Sequence, residues 1–394
     1  MNPQERLKIA DRFTVIPVSA GECHLHSLAT SLVLKAEVPE LLERLLPILD
    51  GVRSVREVLT ELSAFGSDAV VATLQSLIDA GVLERAVEDN TSVATMKETQ
   101  HFRAQIAFFS HFVVPPEAGL TMSQVGPVPK RGVEYQERLK RAHITVFGVG
   151  RIGSQVARAL AAAGVGAITA VDSQLLCEDD LAGDGWFDID KLGSRRTEAV
   201  GRVCKRLNPA LTFVEVDEVG DPESLSRLLA TCDFAILCPD HMNPAEYDAF
   251  NRAALVSKTR WTSARFAGFE FHIGPTVIPG ETPCYECFRL RINSNVIEYA
   301  EHALHEEHRK LHRLREAMLA ITPAAGLLAL EAMKAITWFA VPATYAHLYS
   351  LNLLTMQSEL HPILKIPRCL ACGRPTMPRP TIHAWQQTPV DPLS

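Results

Sequence analysis

Residues Gly148–Gly153 read GVGRIG, and what flanks them leaves few folds open. An apolar run starting at Ile144 leads into the loop, the alanine-rich stretch RIGSQVARALAAAG leads out of it, and a second apolar run, AITAVD, ends on Asp172. Strand, glycine turn, helix and strand make a βαβ unit. Its glycines let the backbone approach phosphate oxygens, the helix N-terminus presents free amides, and an acid nineteen residues beyond Gly153 meets ribose hydroxyls. Gly148, Gly150, Gly153 and Asp172 are therefore the candidate nucleotide-binding residues. The motif alone does not separate ATP from a dinucleotide. The alternation continues through a helix to Leu207, LTFVEVDEV and FAILCPD, which predicts an α/β fold with a mostly parallel sheet.

The cysteines add a second constraint. Of nine, four fall in two CxxC pairs, Cys284 with Cys287 and Cys369 with Cys372, with 81 residues between the pairs. Four thiolates complete a tetrahedral zinc shell and leave no position open to substrate, so the spacing predicts a structural Zn2+ site. Cys23, Cys177, Cys204, Cys232 and Cys238 are scattered. A net charge of −7 without long charged runs gives no footprint for nucleic acid or an anionic membrane. The first residues lack a signal-like apolar core, and no apolar stretch reaches the ~20 residues that span a bilayer. The expected location is the cytoplasm.

Ahead of the glycine loop, three β-prone runs (Thr14 to Val18, His24 to Leu28, Leu32 to Lys35) precede three apolar-periodic helices and the run Val82-Leu83-Glu84. Residues 1–90 are thus expected to form a small winged-helix-like α+β module. Residues 91–133 read as a linker or arm rich in proline and glycine. Within it the aromatic run HFRAQIAFFSHF fits either docking on a partner surface or an amphipathic helix. The nucleotide domain is expected over 134–376, with a tail at 377–394.

From VEYQERLKRAHITVFGVGRIGSQVARALAAAGVGAITAVD onward the chain resembles the ThiF and MoeB family, relatives of ubiquitin-activating enzymes that adenylate carboxyl termini. LGSRRTEAV with LNPAL resembles the family's Gly-x-x-Lys-Ala segment, so Arg196 stands where the family has a phosphate-binding lysine. CDFAILCPDHM resembles the strand ending in the aspartate of the magnesium–ATP site, here Asp240, and TPCYECFRL and PRCLACG resemble the zinc half-sites. The resemblance implies a Rossmann-like ThiF-type domain that binds ATP and Mg2+, and a homodimer in which an arm from one subunit completes the other's site. Arg103 in the aromatic run is the arginine such an arm would supply.

Departures accompany the likeness. Gln174 replaces a second acid, Asp180 an asparagine, and Gly183 an arginine that contacts phosphate. Losing a bidentate guanidinium–phosphate contact costs on the order of 2 kcal/mol. Either another arginine substitutes, with Arg103, Arg195 and Arg196 the candidates, or catalysis is lost. No cysteine lies between Cys287 and Cys369, which disfavours a thioester relay, and Cys177 reads as an ordinary loop thiol. His302, His305, His308 and His312 share one face of a charged stretch, read as a solvated helix.

Three strands followed by three helices resemble the leader-peptide recognition module of enzymes that modify ribosomally made peptides. That likeness implies a precursor peptide whose leader adds as a strand at Ser31 to Ala36, against the helix Asp68 to Ala80. The whole architecture resembles stand-alone maturation enzymes of the pantocin A and microcin C type. It implies ATP-dependent activation of a peptide carboxylate, with glutamate and ring closure expected. The alternative is a non-catalytic leader-binding partner of a separate cyclodehydratase.

Overall fold

A computed structural model describes all residues except 1, 20, 28–30, 36–37, 87–95, 113–130, 182–186, 188, 241–242, 268, 297–317 and 374–394. Gly183, Ala36, the four histidines of the charged stretch and the C-terminal tail lie outside the described residues. The chain divides into two compact units, one of Met1–Ala142, Leu160–Ala167 and Met333–Val341, the other of His143–Ala159, Ile168–Ala332 and Pro342–Ser394.

In the first unit, β1 (Arg6–Ile9) lies between two strands found later in the chain. β2 (Thr14–Ser19), β3 (Glu22–His26) and β4 (Ser31–Lys35) form an antiparallel sheet in that order, and β5 (Asp50–Ser54) and β6 (Leu83–Arg85) flank β1 in another. The hairpin sheet matches the sequence reading, but β3 begins two residues earlier than expected because Ser19 pairs with Glu22 across a tight turn. β1 and β5 were not predicted. β1 alternates charged and apolar residues over only four positions and β5 does not alternate, so neither is legible alone, and their pairing makes them strands.

The three expected helices are present at Pro39–Ile48, Val55–Glu61 and Ser67–Asp79. Proline opens the first. The second carries a capping box, with the Ser54 N–H donating to Glu57 Oε2 at 2.7 Å and the Glu57 N–H to Ser54 Oγ at 3.3 Å. Leu25, Leu45, Val70 and Leu74 are fully buried at their junction with the sheet.

The aromatic run packs within its own chain. Its helix Arg103–Phe109 buries Ile106 and Phe109, with Phe109 stacked 5.3 Å from Phe339 and 5.5 Å from Tyr135, and Phe112 4.9 Å from Phe339. Gln105 Nε2 donates to Gln136 Oε1 at 2.6 Å and to the Ala163 carbonyl at 2.9 Å. The amphipathic-helix alternative accounts for the buried face, and Phe108 stays 39% exposed.

The second unit is built on an eight-stranded sheet in the order β14-β13-β12-β11-β10-β7-β8-β9, where β7 is His143–Phe147, β8 Ala167–Val171, β9 Thr212–Val216, β10 Phe234–Leu237, β11 Arg260–Ala267, β12 Glu270–Ile273, β13 His347–Asn352 and β14 Ser358–Pro362. β7, β10 and β11 run parallel in register, Phe147 beside Leu237 and Leu237 beside Ser263, and β11 to β14 are antiparallel. β10, FAIL, is an unbroken apolar run buried at every position, as a central strand covered on both faces requires, and β7 is buried from Ile144 to Phe147.

From β7 the chain moves outward through β8 to β9, then returns across β7 to β10. The reversal leaves a crevice beyond the carboxyl ends of β7 and β10, where open α/β sheets bind ligands. Among the described residues no helix is long and apolar enough to cross a membrane.

Candidate functional site

The glycine loop leaves β7 at that reversal. Gly148 adopts φ +78° and its N–H donates to the Val171 carbonyl at 2.9 Å, so the chain turns sharply between the ends of β7 and β8. A Cβ on Gly150 would stand 2.2 Å from Asp240 Oδ1, and the loop therefore has room only for hydrogen there. The helix Arg151–Ala162 follows directly. Gly150→Ala is expected to push the Asp240 carboxylate aside and to lower unfolding free energy by about 1–3 kcal/mol. Chemical denaturation reads this out, and an unchanged midpoint would mean the carboxylate swings away freely.

Around this loop lies a cleft of about 630 Å³, lined by Gly148, Asp172, Gln174, Arg196 and Asp240 together with the loop Asp217 to Pro222. Asp172 is 9% exposed and held by two backbone donors, Val149 N–H on Oδ2 at 2.9 Å and Gln174 N–H on Oδ1 at 2.8 Å. Burial raises its pKa, against these hydrogen bonds and the Arg196 charge. The structure thus brings Gly148, Gly150, Asp172, Arg196 and Asp240 together from four separate stretches of chain.

Arg196 opens the helix Arg196–Leu207 and is only 2% exposed. Its Nε donates to Asp180 Oδ2 at 2.9 Å, its Nη2 to Asp180 Oδ1 at 2.8 Å, and its Nη1 to Asp240 Oδ2 at 2.7 Å, with Asp172 Oδ2 at 3.5 Å. Burial opposes its charge, yet the three carboxylates raise its pKa above the ordinary value. The arginine expected on phosphate is therefore engaged on three aspartates, with one edge at the cleft. Arg195 pairs with Asp217 and is largely exposed. Arg103 is exposed at the start of its helix in the first unit.

Sequence reasoning noted Asp180 only as a departure and missed the Asp217 to Pro222 loop. Asp221 does carry a readable signal, since it caps the helix Pro222–Leu229 by accepting from Glu223 N–H and Ser224 N–H at 3.0 and 2.9 Å. Asn243, also on the cleft, caps Pro244–Ser257 in the same way.

The four CxxC cysteines converge. Cys284 and Cys287 flank the first turn of Tyr285–Ser294, and the sulfur separations are 3.9 Å (Cys284 to Cys287), 3.7 Å (Cys284 to Cys369) and 3.5 Å (Cys287 to Cys372). Tetrahedral zinc with Zn–S near 2.3 Å requires sulfurs about 3.8 Å apart, so the cage fits the ion. Hydrogen bonding from the Cys284 thiol, together with the Ile366 N–H at 3.4 Å, lowers the pKa of the Cys287 thiol, which favours a thiolate. Cys177 is half-buried, and its N–H donates to Asp180 Oδ2 at 3.0 Å.

A profile described as the ThiF family matches residues 122–371. The chain is 31% identical over 251 residues to the vegetative HesA protein of Trichormus variabilis, covering 62% of this chain and 86% of that one. It is 24% identical over 250 residues to the molybdopterin-synthase adenylyltransferase of Escherichia coli, covering 62% and 93%. In three dimensions it resembles E. coli MccB (TM-score 0.64, 17% identity, 93% of this chain and 99% of that one) and PaaA (TM-score 0.66, 18% identity, 90% and 100%), likenesses of fold. Glycine loop, reversal cleft, paired cysteine knuckles and profile agree, and the chain belongs to the ThiF family of proteins.

Proposed function

We propose that this protein is an ATP-dependent peptide-maturation enzyme, which holds the leader of a ribosomally made precursor through residues 1–90 and activates a glutamate side-chain carboxylate of that peptide for cyclisation. The observation that carries the reading is the cleft at the strand reversal, where a glycine loop, Asp172, Arg196 and Asp240 meet in a ThiF-family chain. The E. coli molybdopterin-synthase relative is an adenylyltransferase, and MccB has been crystallised with ATP and with MccA.

In this reading Asp172 receives the ribose hydroxyls. The amides of the Gly148–Gly153 loop and Nη1 of Arg196 face the phosphates. Asp240 would hold Mg2+, an ion that takes one or two carboxylates and completes its shell with phosphate oxygens and water. When bound, that ion neutralises charge developing on the leaving phosphate. A carboxylate oxygen of the peptide attacks the α-phosphorus, the bond to the β-phosphate breaks, and pyrophosphate leaves. Attack at the γ-phosphorus would instead release ADP. Either product turns a poor leaving group into a good one; a neighbouring amide or carbon nucleophile then attacks the activated carbonyl carbon, loses its proton, and closes the ring as the acyl C–O bond breaks and AMP or phosphate leaves. Four cysteines would hold a structural Zn2+.

For the peptide, β4 is an edge of its sheet. Its inward residues Leu32 and Leu34 pack on the module's core while Val33 is 52% exposed, so backbone donors and acceptors on one side are available to an added strand. The arm and Arg103 fit a homodimer in which each copy completes its neighbour's site. The alternative, a leader-binding partner without catalysis, draws on Arg196 being engaged by three carboxylates and on Gln174 and Gly183.

One experiment separates the two. Purified protein is incubated with ATP, magnesium and the precursor peptide encoded beside its gene, and peptide mass and AMP or ADP release are recorded. The enzyme reading expects nucleotide release coupled to a mass change. Tight leader binding with no turnover would favour the partner reading. Val33→Pro, which removes a main-chain donor of β4 and stiffens the strand, is expected to weaken leader affinity about tenfold, corresponding to one or two lost main-chain hydrogen bonds, with an equal thermal melt checking that the sheet persists. Unaltered affinity would move the leader to another surface.

A further inference from the structure

Asp180 grips the arginine at the cleft yet does not line the cleft. Both of its carboxylate oxygens face Nε and Nη2 of Arg196 in a fork, and both side chains are 2% exposed. The Cys177 N–H pins the same carboxylate from the other side. A guanidinium held at two nitrogens has one edge left, and here that edge is Nη1, which reaches Asp240 Oδ2 at 2.7 Å and stands 3.5 Å from Asp172 Oδ2. Asp240 is thereby fixed between Arg196 and Gly150.

We infer that Asp180 is a positioning residue: it fixes Arg196 so that a single donor sits between Asp172 and Asp240 and orients the Asp240 carboxylate toward the cleft. The inference rests on reading the cleft as a nucleotide site. It has a competitor with the opposite sign. Three carboxylates surround one guanidinium, a net charge of −2 that repels bare polyphosphate, and Asp180 supplies part of it. If Asp180 matters only as charge, removing it tightens ATP binding. If it positions Arg196, removing it weakens binding.

The test uses the full chain and measures the dissociation constant of ATP by calorimetry, with and without magnesium, for the wild type, Asp180→Asn, Arg196→Ala and the double variant. Asparagine keeps the shape and one acceptor, so folding is retained, and equal thermal melts check this. Asp180→Asn is expected to weaken magnesium–ATP binding about tenfold, the scale of one charged hydrogen-bond pair. The double variant is expected to bind no worse than Arg196→Ala, because Asp180 acts through the arginine. Unchanged or tighter binding in Asp180→Asn, or a double variant weaker by the product of the single losses, overturns the positioning role.

A crystal structure of Asp180→Asn gives a readout independent of nucleotide. The Arg196–Asp240 contact is expected to lengthen or break, and its retention at the wild-type distance overturns the inference. Failure of the wild type to bind ATP overturns the nucleotide reading instead, and the crystal structure still decides the role of Asp180.

Discussion

Cys369→Ser is expected to strip bound zinc from the purified chain and to destabilise the second unit severely. Cys284, Cys287 and Cys369 are each at most 5% exposed, and they belong to the same core cluster as Trp261, Phe250 and Tyr285. The two knuckles lie 81 residues apart, so a bound ion would close a long loop and tie the segment after β14 to the start of Tyr285–Ser294. Structural zinc contributes roughly 10–16 kcal/mol of apparent binding free energy at neutral pH in small domains, and losing one thiolate forfeits a large part of it. Without the ion, buried thiols 3.5–3.9 Å apart face one another with no cation to share. Metal analysis by mass spectrometry should find close to one zinc per wild-type chain and far less in the variant. A melting temperature drop of many degrees should accompany it, reproduced by a strong chelator acting slowly on the wild type. A metal-free wild type, or a Cys369→Ser variant that melts with the wild type, would remove the zinc staple.

Asp240→Ala is expected to reduce turnover of ATP and precursor peptide by about 10²–10³, the cost of deleting one group that stabilises developing charge. The fold should persist, because Arg196 keeps both oxygens of Asp180 and lies near Asp172. Leader affinity should be unchanged, since the peptide-binding residues proposed above lie within residues 1–90. Nucleotide release is followed by coupled assay and leader affinity by fluorescence anisotropy, with Asp240→Asn as a variant that keeps the shape. A fall in leader affinity as large as the fall in turnover would count against separate binding and chemical sites. Full turnover in both variants would take Asp240 out of the chemistry.

Much of this site is legible in the amino-acid sequence. Glycine after a strand, an acid at the next strand's end, and CxxC spacing are local signals, because backbone turning, helix initiation and sulfur reach depend on residues a few positions apart. They locate β7 and β8, with Asp172 directly after β8, and pair the cysteines that converge in the fold. Asp240 and Arg196 were also singled out, through family likeness, and the fold brought them to one cleft.

What the tertiary structure decided is how those groups are used. Asp180 and Arg196 are 16 residues apart and Arg196 and Asp240 are 44 apart, and no periodicity marks either pair. Only the order of strands, with β10 crossing back beside β7, brings the acids around one guanidinium. β1 and β5 likewise exist through pairing partners distant in sequence, and the aromatic run found its burial on Phe339, more than two hundred residues away. Sequence by itself determined the βαβ elements around the glycine loop and the chemistry carried at their ends. Which carboxylates share a cation, and which strand edge stays open, depended on long-range contacts whose free energy appears only when the core is packed.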